Sequence, residues 1–72
     1  MIIHDLAFAA YLSLIGKNLT KVWKSDEGKF NFQFEIDKEE CNLLEMTFIN
    51  SDFAKYDANL RKIKSLLYKR SQ

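Results

Sequence analysis

Proline is absent from the 72 residues, glycine occurs twice, and cysteine and histidine occur once each. Each shortage excludes something. With no proline and no low-complexity stretch there is no linker, so residues 1–72 read as a single domain. A lone Cys41 permits no internal disulfide, which fits a reducing compartment, and a cytoplasmic protein is expected. His4 is the sole histidine, so neither a two-histidine metal site nor a zinc site can be assembled, and we expect no cofactor. Gly16 and Gly28 stand twelve residues apart, which rules out a glycine-rich phosphate loop. Long apolar runs are also missing. The longest, Leu6 to Ile15, has ten residues and no basic residue ahead of it, so we expect neither a signal peptide nor a membrane contact.

What is present is apolar and aromatic. The hydrophobic fraction is 47% and ten residues are aromatic, a supply that lets a chain this short build a core. A domain of this size hides only about 60% of the surface its unfolded chain exposes, so each large side chain counts. Residues 5–15, "DLAFAAYLSLI", start on an acid suited to a helix N-terminus and stop before Gly16, which predicts a helix apolar nearly all round. In "KFNFQFEI", Phe30, Phe32, Phe34 and Ile36 alternate with polar residues, the period of a strand with one buried face. Residues 18–24 read as its partner, with Gly28 suited to the turn of a β-hairpin. In residues 37–50, Leu44, Met46 and Phe48 alternate as a strand would, whereas Asp37 with Glu40 forms a capping-box pattern that favours a helix. After the caps Ser51 and Asp52, the residues Phe53, Tyr56, Leu60, Ile63 and Leu67 step by three and four along a last helix. The expected fold is α+β in the order α-β-β-α-α, a two-stranded antiparallel hairpin covered by helices. The last helix is expected to complete that cover, and the Phe strand to be buried.

The chain is nearly neutral at +1, which argues against a strongly electrostatic nucleic-acid binder, but its charge is polarised. Residues 26–50 carry two lysines and seven acids, and residues 51–72 carry six basic and two acidic residues. Lys55, Lys62 and Lys69 align within about 40° on the last helix, with Arg61 beside them and the apolar stripe opposite. These four are the candidate contacts for nucleic acid or another anion; the reading opposed to that is a solvated outer face. Trp23, near the hairpin turn, and Tyr68, off the main stripe, are the candidate anchors for a protein partner. Catalysis needs converging groups, and none are evident. Cys41 reads as a small buried residue and His4 as solvated, while Asp37, Glu39 and Glu40 read as helix capping rather than a cation site.

"DLAFAAYLSLIGKNL", the strand "FNFQFE" and "YDANLRKIKSLLY" together resemble a short domain of unknown function found in bacteriophages and mobile elements of Firmicutes. The resemblance spans nearly the whole chain, with Ile63 where leucine is usual. It implies a helix for residues 38–50 and a phage or mobile-element setting inside a bacterial cell, and it brings no catalytic residues. The expectation is a non-enzymatic interaction module that binds a host or phage protein and forms homo-oligomers. Alternatives are a nucleic-acid-binding regulator and an oligomer that sequesters a small anionic nucleotide.

Overall fold

Asp5 begins the first helix, α1 (Leu6–Leu14), because its carboxylate accepts the otherwise unpaired N–H groups of Ala7 and Phe8 at 2.9 and 3.3 Å. Gly16 ends it. At φ +91° its N–H donates to the carbonyl of Ser13, and the next N–H, that of Lys17, reaches back to Leu12 at 2.9 Å, a Schellman cap. The computed structural model describes residues 1–70.

Chain order is β1 (Ile2–Ile3), α1, β2 (Leu19–Lys24), β3 (Phe30–Phe34), α2 (Lys38–Ile49) and α3 (Asp52–Arg70). The predicted order and the hairpin are observed, and the hairpin gains a third strand. The sheet order is β1-β3-β2, antiparallel throughout, with Ile3 opposite Phe32 and Val22 opposite Phe32 on the other side. Two residues are too short to show a period, which is why β1 was not legible. At the β2–β3 turn Gly28 takes φ +83° and its N–H donates to Ser25 at 2.9 Å.

Residues 38–49 are helical. Asp37 accepts the Glu40 N–H at 2.8 Å, the first half of the capping box, while the Glu40 carboxylate pairs with Lys17 instead of turning back. Ser51 caps α3: its Oγ receives the Ala54 N–H at 3.4 Å and donates to the Phe48 carbonyl at 2.6 Å.

The core lies where α1 meets the sheet and α2. Leu12 and Phe34 are its most enclosed members, with Ile3, Phe8, Tyr11 and Phe48 around them. Aromatic rings tie the three helices together: Phe48 lies 5.4 Å from Phe8 and 5.3 Å from Tyr11, and Tyr11 lies 5.6 Å from Phe53.

Two expectations are corrected here. The Phe strand is buried only toward its C-terminal end: Phe34 is 2% exposed, Phe32 is half-buried and Phe30 is 54% exposed. Nor does α3 complete a cover. Leu60, Ile63 and Leu67 are all exposed, because nineteen helical residues extend about 28 Å whereas the nine of α1 extend about 13 Å. The shorter helix cannot shield the longer one's stripe. The Cα radius of gyration, 14.2 Å, accordingly exceeds the ~11 Å of a compact domain of this length.

Candidate functional site

The stripe on α3 begins at the body of the domain and runs off it. Phe53 packs its ring at a tilt against Tyr11 of α1 and Ala54 packs on the core, which anchors the first turn. Beyond them Tyr56, Leu60, Ile63 and Leu67 repeat at intervals of four, three and four residues, the spacing of a coiled-coil seam. Ile63 is 52% exposed and Leu67 62%.

Beside this stripe, α1 adds apolar surface of its own. Ala10 and Leu14 are exposed, and with Tyr11, Phe53, Tyr56 and Leu60 they line an open groove of about 360 Å³ between the two helices. Alanines at positions 7 and 10 leave its floor low enough for a third helix to approach closely. Asp57 forms the polar rim, its carboxylate 3.1 Å from Arg61 Nε. Exposed apolar surface of this continuity makes the face the candidate contact site.

A model of a domain of unknown function, DUF5659, matches residues 1–69. The chain belongs to that family. No curated protein and no solved structure matches it.

In this DUF5659 domain the basic candidates lie together on the far side of α3 from the apolar stripe. Lys55 stands 4.0 Å from Asp52 and Arg61 pairs with Asp57, so two of the four already have acidic neighbours. Lys62 and Lys69 are exposed, with no ion pair among the described residues. The two partner candidates differ in exposure. Trp23 is half-buried on the sheet face away from the helices, opposite Asn31, and Lys21 Nζ lies 5.1 Å above its ring. Tyr68 is 74% exposed on the last turns of α3.

Cys41 is buried and His4 exposed, and no group of three His, Cys, Asp or Glu among the described residues is placed to hold a metal ion. Burial pushes the Cys41 thiol above its usual range, and the charge of Glu45 pushes the same way, while the N-terminal ammonium opposes both. The thiol is thereby kept protonated, the inert form. No helix among the described residues is long and apolar enough to cross a membrane.

Leu60, Ile63 and Leu67 are the site residues that sequence reasoning assigned to the core. A signal for their exposure existed. An unbroken 3-4-3-4 stripe on a helix of nineteen residues, beside helices of nine and twelve, has more apolar length than its own chain can cover.

Proposed function

We propose that the protein is a non-enzymatic protein-interaction module whose binding surface is the α1–α3 face. The observation that carries this reading is the apolar stripe Tyr56, Leu60, Ile63 and Leu67, exposed along a helix that projects from the core. In the setting its resemblance implies, it is an accessory protein of a phage or mobile element of Firmicutes, acts in the bacterial cytoplasm, and modulates a host or phage protein. A photo-crosslinking residue at Ile63 tests the surface. Protein adducts, with this chain or another, should form from position 63 and not from position 62 on the opposite face. Equal yields at both positions, or none at 63, would refute it.

A second reading rests on Lys62 and Lys69, which leave positive charge on the outer face without an ion pair among the described residues. Nucleic acid bound there would dissociate with rising salt, and the double variant Lys62→Glu/Lys69→Glu would abolish binding. No shift of labelled DNA or RNA at low salt dismisses this reading.

A further inference from the structure

We propose, building on the protein-binding reading above, that the α1–α3 face is occupied by a second copy of this chain, the two α3 helices packing antiparallel about a two-fold axis.

Surface area gives the first argument. The chain exposes 5869 Å², whereas a folded monomer of 8.5 kDa exposes about 4,700 Å². The excess of about 1,200 Å² is more than the ~800 Å² per partner that a standard stable interface covers. A second copy therefore suffices to hide what the monomer leaves open.

The stripe's own symmetry gives the second. A two-fold contact must pair a surface with itself. About the midpoint between residues 61 and 62, Leu60 reflects onto Ile63 and Tyr56 onto Leu67. Antiparallel packing thus sets every stripe residue against another, with Leu60 of one copy facing Ile63 of its partner. It also lays the projecting end of each α3, Ile63 and Leu67, beside the other copy's groove at Leu14 and Ala10. Parallel packing would leave both grooves open, because each α1 already flanks the N-terminal half of its own α3.

Charge selects the same orientation. Residues 61–69 carry four basic and no acidic residues, while residues 52–60 carry Asp52 and Asp57 against Lys55. Three of those four basic residues lie on the far side of α3 and only Lys64 flanks the stripe; antiparallel helices set it toward a half of net charge −1, and also oppose the helix dipoles.

Light scattering and sedimentation of the full chain test the stoichiometry, and cysteine pairs test the orientation. Twice the monomer mass is expected, falling to the monomer mass in Ile63→Asp, whose far-ultraviolet spectrum should stay unchanged because the site is exposed. Under oxidation, Tyr56→Cys/Leu67→Cys should form a covalent dimer. Leu67→Cys alone should not, since antiparallel packing holds the two copies of position 67 about 16 Å apart along the axis. A monomer at every concentration overturns the proposal, as does efficient cross-linking by Leu67→Cys alone. A monomer whose position 63 still cross-links to a different protein overturns the second copy as occupant and leaves the binding surface standing.

Discussion

Truncating Ile63 to alanine should have almost no effect on stability in dilute protein and a large one in concentrated protein. Fully burying an isoleucine side chain contributes about 1.5–3 kcal/mol. Ile63 is 52% exposed in the single chain, so its present burial contributes about 1 kcal/mol, part of which alanine retains through its Cβ. Alanine also favours the helix by about 0.4 kcal/mol. The net effect on an isolated chain is within about 0.5 kcal/mol of zero. Against Leu60 of a second copy the same truncation opens a gap in a packed seam and costs about 2 kcal/mol per chain or more. At about 6 °C per kcal/mol for a domain of this size, Tm should move by no more than about 3 °C in dilute protein and fall by about 12 °C in concentrated protein. Circular dichroism melts across a hundredfold range of concentration provide the assay. Wild-type Tm should rise with concentration, as mass action requires, and Ile63→Ala should flatten that rise. Leu12→Ala is the control: Leu12 is fully enclosed, and its loss should cost about 3 kcal/mol at every concentration. A wild-type Tm independent of concentration, or one Ile63→Ala shift across the whole range, would refute the reasoning.

Gly16→Ala should destabilise by about 1–2 kcal/mol, seen as a lower denaturant midpoint with an unchanged slope, because a Cβ there meets nothing within 4 Å and the cost is the positive φ alone. Cys41 should resist alkylation in the folded protein. Its raised pKa means that the folded state holds the thiol proton more tightly than the unfolded chain, so this contribution to stability is complete below the ordinary value of 9.0 and is lost as pH rises through the folded value. Wild-type Tm should therefore fall more steeply above pH 9 than that of Cys41→Ala, and parallel curves would contradict the assignment.

Local signals in the sequence were enough to place five of the six elements. Each helix N-terminus has a side chain at hydrogen-bond range of a free N–H, at Asp5, Asp37 and Ser51, and those interactions span only two or three residues. Gly16 and Gly28 likewise sit where the backbone turns to positive φ. A strand of two residues, β1, has no such local signature: it is held by partners about thirty positions away in β3, the Met1 carbonyl beside it accepting the Phe34 N–H at 2.9 Å.

The sequence by itself determined which residues are apolar and on which face of its own element each lies, since period and capping depend on near neighbours alone. Whether such a face is covered was decided only by the tertiary structure. Phe30 and Phe34 occupy equivalent positions in one alternating strand, yet one is exposed and the other enclosed, because the helices reach only one end of the sheet. Leu60, Ile63 and Leu67 likewise follow the same helical rule as a core stripe, and they stand outside the core because α3 is longer than anything in its own chain that could pack along it.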